Sequence, residues 1–338
     1  MYFRLRPLAG RNQKYIDSSV SIMGLSGLNA AVLAGLPAVA RSFIGPLFRA
    51  WIEKYVRRLK AELGPVFDSR LRGQGSPEEH SEEKAPDMPI DLLSMMIQHA
   101  SEERPDQLNL DKVARRIAIS NVHAMSQTTI ASINIILNII ASDAKHNTIS
   151  TLRDELVAAT SGAKLDAAFW TKANAASLTK ADSVARETMR LDSVSNRAMV
   201  RKVMADQVKT EDGVVLPKGC TVSILSYPVH HGEEYFFENG HVFEPFRYCK
   251  AGRDVPEFHS AETASLVTTG PQFLPFGHGK TACPGRFLLD FELKMLVAYL
   301  LQNYDVRFPA EYGGTRPDNL WIAESNLPPL VRIQVRRC

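Results

Sequence analysis

The sequence predicts a mainly α-helical fold with a small β part, and the spacing of apolar residues supports this along the chain. Helical patterns cover residues 10–70 and continue from Asp91 to about Arg190. From Met199 onward, short valine-rich stretches are separated by Asp-Gly and Pro-Lys-Gly turn signals, which predicts a compact β region. Polar and apolar residues also alternate near the end of the chain, where residues 330–335 read as a strand.

The composition is that of a globular protein with a large core. The chain has 338 residues, of which 45% are hydrophobic and 23% are charged. Its net charge of +3 is too small to indicate nucleic-acid binding. The four cysteines form no CxxC pair, so we predict neither a disulfide framework nor a zinc site and expect a reducing compartment.

We expect residues 1–338 to form a single domain. No internal repeat is visible, and residues 72–90 form a polar stretch of low complexity. Such a stretch fits either a domain boundary or a solvated loop, and we predict a loop within one domain.

No segment is predicted to anchor the chain in a membrane. The first seven residues lack the apolar core of a signal peptide. Residues 18–40 and 117–141 are uncharged, but small residues and Pro37 interrupt the first, and several polar side chains interrupt the second. Neither is a strongly apolar run of about 20 residues. The second is expected to be a helix buried inside the protein.

The most informative stretch is residues 276–285, which read FGHGKTACPG and precede a predicted helix from Arg286. A helix N-terminus carries partial positive charge, which favours the thiolate form of the nearby Cys283. Gly277 and Gly279 allow a close backbone approach and can turn N–H groups toward the sulfur. A buried structural cysteine in a tight turn is the alternative interpretation. The spacing around the cysteine favours a ligand for haem iron.

Phe276 opens the same turn and can lie flat against a planar ring. The whole stretch resembles the cysteine loop of the cytochromes P-450, which are haem-thiolate monooxygenases, and it most resembles the fungal branch used in secondary metabolism. The resemblance implies the cytochrome P-450 fold and haem b (heme, iron protoporphyrin IX), with the Cys283 thiolate as the axial iron ligand. It also assigns haem contacts to Phe276, Gly277 and Gly279. The family usually has Arg or His two residues before the cysteine, where this chain has Thr281.

Two arginines and a glutamate fit a further family pattern. Glu187 and Arg190 lie one helical turn apart and can pair, although such pairs are common on solvated faces. Their position, roughly a hundred residues before the cysteine loop, resembles the Glu-x-x-Arg of the family. The family pairs this motif with an arginine of a Phe-x-Pro-x-Arg segment, which here ends at Arg247. The resemblance implies a buried network with a structural role.

Arg201 enters the predicted β region and resembles the family arginine that contacts a haem propionate. A guanidinium group suits a carboxylate because it can donate two parallel hydrogen bonds. An exposed strand arginine is the alternative interpretation.

Residues 124–129 read AMSQTT and lie in the middle of the longer uncharged stretch. A threonine hydroxyl within a helix can bond to an upstream carbonyl and bend the helix, so two core threonines bonded to the backbone are one interpretation. The stretch also resembles the oxygen-binding motif of the family, small-small-x-acid-Thr-Thr. The resemblance implies that Thr128 delivers protons during O2 activation and that Gln127 stands in place of the usual acid.

The remaining histidines and basic residues carry weaker signals. The histidines at 123, 230, 231 and 278 lack metal-binding spacing, so we expect surface or loop histidines. Five basic residues lie near the cysteine loop in sequence: Lys250, Arg253, Lys280, Arg286 and Lys294. They fit either solvated surface charge or a basic face that receives an acidic reductase.

The resemblance covers the chain from about residue 10 to its end. The family's N-terminal membrane anchor, first strands and early helices have no counterpart in this sequence, so we expect a truncated, degenerate or shortened member.

The implied function is insertion of one oxygen atom from O2 into an apolar small molecule, such as a terpenoid or alkaloid intermediate. Electrons would come from NADPH–cytochrome P-450 reductase. An inactive remnant and a haem-thiolate isomerase or dehydratase are the alternatives. The family is usually anchored to the endoplasmic reticulum membrane, but the sequence does not predict the subcellular site.

Overall fold

The computed structural model of the chain describes residues 12–72, 91–232, 239–249, 265–322 and 324–338. These residues are mainly helical with small antiparallel strand pairs, so the predicted fold class is confirmed. The predicted polar loop lies outside the described residues, except for Arg72, which ends a helix.

The described α-helices, in chain order, are α1 (Gln13–Ala34), α2 (Ala38–Arg72), α3 (Leu92–Glu103), α4 (Leu110–His146), α5 (Thr148–Thr160), α6 (Lys172–Ser177), α7 (Thr179–Leu191), α8 (Ser226–His231) and α9 (Arg286–Asn303). The described strands are β1 (Arg197–Lys202), β2 (Gln207–Lys209), β3 (Val215–Pro217), β4 (Thr221–Leu225), β5 (Tyr304–Arg307), β6 (Leu320–Ile322), β7 (Ser325–Leu327) and β8 (Gln334–Arg337). The strands pair antiparallel as β1–β4, β2–β3, β5–β8 and β6–β7.

The chain divides into two compact units, Met1–Ser126 and Gln127–Cys338. In the N-terminal unit, α1 to α3 and the first part of α4 surround an apolar core that includes Leu59, Leu63 and Ile97. Side chains that cap helix N-termini fix where these helices begin. Asn12 accepts hydrogen bonds from the first turn of α1, and Asp91 accepts one from the first turn of α3.

In the C-terminal unit, α5, α7, α9 and the second part of α4 share one large core. Helix α7 is buried along most of its length, from Ala181 to Arg190. Helix α9 follows the cysteine loop directly and buries Leu289, Leu293 and Val297 in the same core. These contacts position the cysteine loop beside α7, because α9 packs against α7.

The predicted β region is confirmed, and the predicted final strand is partly wrong. Strand β1 pairs with β4 through an irregular register between Ala198 and Arg201. At the end of the chain, strand β8 begins at Gln334 instead of Leu330. Its partner strand β5 has four residues and ends at Arg307, which pairs with Gln334. The residues before Gln334 therefore have no partner in β5.

The long uncharged helix is buried in part. In α4, Ala131, Ile135 and Leu137 lie in the core of the C-terminal unit, as predicted. Residues 119–130 include no buried residue, so the prediction of burial is wrong for this central stretch. The candidate residues Gln127 and Thr128 both lie on it.

Helices α1 and α4 are long and apolar enough to cross a membrane, judged by length and composition. Core helices of soluble proteins have the same properties, and residues 131–140 of α4 are of that kind. Helix α1 buries few of its side chains: Tyr15, Ser18, Ser19 and Ile22.

Helix α2 allows a matched test of the N-terminal core. Leu59 is fully buried, whereas Leu47, on the same helix, is 61% exposed. We expect Leu59→Ala to lower the free energy of unfolding by about 2–5 kcal/mol, because it removes buried methyl groups and leaves a cavity. Leu47→Ala should change it by less than about 0.5 kcal/mol. Urea unfolding measures both, and equal effects would contradict the assigned core.

Candidate functional site

The cysteine loop is a compact turn that presents a free thiol. Cys283 is exposed and forms no disulfide. Its backbone N–H donates to the carbonyl of Phe276 at 2.8 Å, which closes the loop. Gly277 and Gly279 have φ angles of +65° and +70°, a region that L side chains rarely adopt. A Cβ atom at either glycine would enter open space, so the loop leaves room next to the thiol-bearing turn.

Hydrogen bonds within the loop differ from the predicted pattern. The N–H of Gly277 donates to the carbonyl of Leu274 at 2.9 Å, so it is not free to turn toward the sulfur as predicted. Arg286, in the first turn of α9, donates to the carbonyls of Cys283 at 2.7 Å and Val267 at 3.0 Å. The Arg286 guanidinium therefore stabilises the loop from its C-terminal side.

Phe276 is buried in the core of the C-terminal unit. Its ring packs edge-to-face against Phe273, with the ring centroids 6.4 Å apart. A haem contact by this ring remains a prediction.

Arg201 and Thr281 lie next to each other. Arg201, on the exposed side of β1, donates a guanidinium hydrogen bond to the hydroxyl of Thr281, two residues before the cysteine. The structure thus brings the Arg201 guanidinium next to the side chain that stands where the family usually has Arg or His. One exposed guanidinium at this edge of the loop is available to bind a carboxylate.

Glu187, Arg190 and Arg247 form one ion-pair network. The guanidinium of Arg190 donates two parallel hydrogen bonds to the Glu187 carboxylate, both at 2.8 Å. Arg247 donates to Glu187 Oε1 at 3.0 Å. The side chains of Glu187 and Arg190 are fully buried, and that of Arg247 is mostly buried. Burial disfavours the charged guanidinium of Arg190, but its bonds to Glu187 more than offset this and raise its pKa.

The same guanidinium groups also bind the segment that leads to the cysteine loop. Arg190 donates to the carbonyls of His230 and of Gly240, the latter at 2.6 Å. Arg247 donates to the carbonyls of Asn239 at 3.1 Å and Val242 at 2.9 Å. His230 and Gly240 are buried, whereas Asn239 and Val242 are exposed. The arginine side chains thus bind backbone carbonyls of the irregular segment around Gly240.

His230 and His231 are buried, so the expectation of surface or loop histidines is wrong for both. They lie at the end of α8, where His230 packs near Phe273 of the core. His230 Nε2 accepts a hydrogen bond from the N–H of Leu274 at 2.9 Å. Burial, together with the charge of Arg190, lowers the pKa of His230 to about 3.

Thr128 contacts a carboxyl group that the sequence analysis did not single out. Its hydroxyl donates to Glu292 Oε2, on α9, at 3.1 Å. Burial raises the pKa of Glu292, and the Thr128 hydrogen bond offsets part of this. Gln127 is exposed. The available signal for Glu292 was an acidic residue within the apolar helix that follows the cysteine.

Lys294 is buried, so it does not belong to a basic surface. Its ammonium group forms ion pairs with Asp182 at 2.7 Å and Asp290 at 2.8 Å. Burial raises the pKa of Asp290 to about 6, although Lys294 favours its charged form. Of the other basic residues, Lys280 is exposed on the loop, and residues 250 and 253 lie outside the described residues.

A polar network fixes α4 near the C-terminal end of α7. Arg316 donates to Asp192 at 3.0 Å and to the side chain of Asn134, on α4, at 2.9 Å. Asn138, also on α4, donates to Asp192 at 2.8 Å and to Thr188 at 3.2 Å. Because all these groups are largely buried, they define the position of α4 in the C-terminal unit.

These residues fit a haem group. Among the described residues, no three His, Cys, Asp or Glu side chains are grouped to hold a metal ion. A single thiolate suits an iron whose other ligands come from a macrocycle, as in haem. The open space beside Gly277 and Gly279 and the exposed Arg201 fit a planar group with carboxylates.

The fold class and the cysteine loop fit the class of haem-thiolate proteins, and comparisons with known proteins identify the family. The sequence model of the family described as Cytochrome P450 matches residues 43–332, so the chain belongs to the cytochrome P450 family. It is 42% identical over 335 residues to "Cytochrome P450 monooxygenase pbrC" of Penicillium brasilianum. It is also 42% identical over 336 residues to "Cytochrome P450 monooxygenase astC" of Aspergillus terreus, and 38% identical over 339 residues to "Cytochrome P450 monooxygenase tenB" of Beauveria bassiana. Each match covers 97% of this chain and 61% of the relative.

The ion-pair network gives a direct stability prediction. Glu187→Ala leaves two buried guanidinium groups without their carboxylate and should lower the free energy of unfolding by about 3–5 kcal/mol. Glu311→Ala, at an exposed glutamate, is the control and should stay within about 0.5 kcal/mol of the parent. Chemical denaturation measures both. A Glu187→Ala chain as stable as the control would show that the network does not stabilise the fold.

Proposed function

We propose that this chain is a haem-thiolate monooxygenase that inserts one oxygen atom from O2 into an apolar small molecule. The observation that carries the proposal is the free thiol of Cys283 in its glycine-containing loop at the start of α9. The names of the matched fungal relatives support the reaction class. A natural-product intermediate, such as a terpenoid or alkaloid, is the proposed substrate class.

We propose that residues 1–338 belong to one partial cytochrome P-450 domain, and that the cysteine loop and β1 hold the haem. The Cys283 thiolate binds the iron, Arg201 binds a propionate, and Phe276, Gly277 and Gly279 shape the surface on which the ring lies. When bound, haem supplies the activation of O2. The Glu187, Arg190 and Arg247 network keeps the segment around the loop in place, which is a structural role.

Thr128 and Glu292 form the proposed proton path. The Thr128 hydroxyl holds a proton at Oγ1, in hydrogen-bond contact with Glu292 Oε2. Because burial raises the pKa of Glu292, its carboxyl group can take up and release a proton closer to neutral pH than an exposed glutamate can. Glu292 can thus supply the acid that the family has at the position of Gln127.

The proposed partners follow from the reaction. O2 and an apolar substrate are consumed, and electrons come from NADPH–cytochrome P-450 reductase. Lys280 is exposed on the cysteine loop and is the basic residue best placed to meet an acidic partner. The family is usually anchored to the endoplasmic reticulum membrane, and the subcellular site of this chain is left unassigned.

One observation favours a second candidate, a remnant that binds haem weakly or not at all. Thr281 stands where the family has a cationic residue, so the loop provides one charge fewer for the propionates. The absorption spectrum of the reduced, CO-bound chain separates the two candidates, because it reports haem binding and thiolate ligation together.

Cys283→Ser should abolish the thiolate-type CO spectrum, because a serine hydroxyl does not replace a thiolate as an iron ligand. Cys220→Ser and Cys249→Ser are the matched controls and should keep it. A thiolate spectrum that persists in Cys283→Ser would overturn the ligand assignment, and a parent chain without any haem spectrum would favour the remnant.

Thr128→Ala should leave haem binding intact and divert electrons from product to hydrogen peroxide, because the hydroxyl that connects the proton path to Glu292 is removed. Glu292→Gln should have the same effect, since the amide does not exchange a proton as a carboxyl group does. The measurement is the ratio of product formed to NADPH consumed, with a reductase added.

Thr129→Ala, at the neighbouring exposed hydroxyl, is the control and should keep the parent ratio. An unchanged ratio in Thr128→Ala would assign the role to another residue, with Ser126 as the next candidate. A haem-bound parent that converts substrate without consuming O2 would favour an isomerase or dehydratase.

A further inference from the structure

We infer that His230 is the positioning residue that connects the Arg190 ion-pair network to the cysteine loop and fixes the loop for iron ligation. The role in iron ligation rests on the proposed function. The role in positioning the loop rests on contacts made by the side chain and by the backbone of His230.

The side chain of His230 contacts the loop. Nε2 accepts a hydrogen bond from the backbone N–H of Leu274 at 2.9 Å, and both residues are buried. An acceptor nitrogen carries no proton, so the neutral ring has its proton on Nδ1. Leu274 lies two residues before the loop, and its own carbonyl accepts a hydrogen bond from the N–H of Gly277 in the loop.

The backbone of His230 contacts the network. Its carbonyl accepts a hydrogen bond from the guanidinium of Arg190, which also forms the paired bonds to Glu187. A movement of this guanidinium therefore moves the backbone that carries the imidazole. The imidazole in turn sets the position of Leu274, from which the loop runs to Cys283.

The surroundings of His230 keep its imidazole neutral, so that Nε2 can accept a hydrogen bond. Arg190, Arg186 and His231 face the ring with positive or potentially positive charge, and the site is buried, so the protonated form is disfavoured. A protonated ring would present N–H groups on both nitrogens and would lose the bond to Leu274. The requirement at this position is thus a buried hydrogen-bond acceptor at the distance of Nε2.

Three variants of the full chain separate an acceptor role from simple packing. His230→Gln places an amide oxygen near the position of Nε2 and keeps the acceptor, whereas His230→Leu fills similar space without one. His231→Leu is the matched control, since the ring nitrogen of His231 contacts the carbonyl of Tyr227 and not the cysteine loop.

Hydrogen exchange of the Leu274 amide is the first measurement. We expect it to be roughly tenfold faster in His230→Leu than in the parent, as for loss of one buried hydrogen bond, and near the parent rate in the other two variants. If His230→Leu leaves the rate unchanged, or if Leu protects the amide better than Gln, the residue acts by packing and the inference is wrong.

The reduced, CO-bound spectrum is the second measurement. We expect His230→Leu to lose the thiolate-type spectrum in favour of the form without thiolate ligation, and His230→Gln to retain it. A retained thiolate spectrum in His230→Leu would overturn the role in ligation. A parent without haem would contradict the proposed function, while the Leu274 exchange rates would still decide the positional role.

Discussion

The structure around the cysteine depends on one buried carboxylate. Glu187 is fully buried and compensates two guanidinium groups in the C-terminal unit. Without that carboxylate the arginines would carry uncompensated charge in the interior, which is far more costly than an unpaired neutral group. When the Glu187 carboxylate is present, the remaining N–H groups of the arginines can donate hydrogen bonds to backbone carbonyls. An irregular segment therefore gains a fixed shape from side chains instead of from a sheet or helix.

This arrangement places the cysteine loop between two regular elements. On one side, α7 supplies the network, and on the other, α9 begins directly after the loop and packs against α7. Arg286 satisfies loop carbonyls from the α9 side, and His230 satisfies a loop N–H from the network side. Side chains from both directions thus hold the backbone at and just before the loop, while the Cys283 thiol itself is exposed.

The sequence predicted much of the fold because its periodicity is local. The helices, the β region from Met199 and the Glu-x-x-Arg spacing could all be read from short windows, and the family resemblance added Arg247 as a distant partner. Burial could not be read in this way. Lys294 looked like a surface charge and His230 like a loop histidine, because their partners Asp182 and Leu274 are distant in sequence. Lys294 can be buried because the fold supplies the opposite charges of Asp182 and Asp290, and spacing alone does not reveal this.

The same limit applies to Thr128. The family motif predicts its role, but its contact with Glu292 belongs to no motif and could not be predicted from the sequence. The resemblance directs attention to an acid next to the threonine in sequence, and this chain has Gln127 there. The structure supplies a carboxyl group from α9 instead, at hydrogen-bond distance from the hydroxyl. Arg316 and Asp192 fix α4 through Asn134 and Asn138, so the helix that carries the threonine is fixed in position within the unit that contains α9. A proton-transfer group can therefore be supplied by another helix, provided that buried polar contacts fix the position of the helix that carries the threonine.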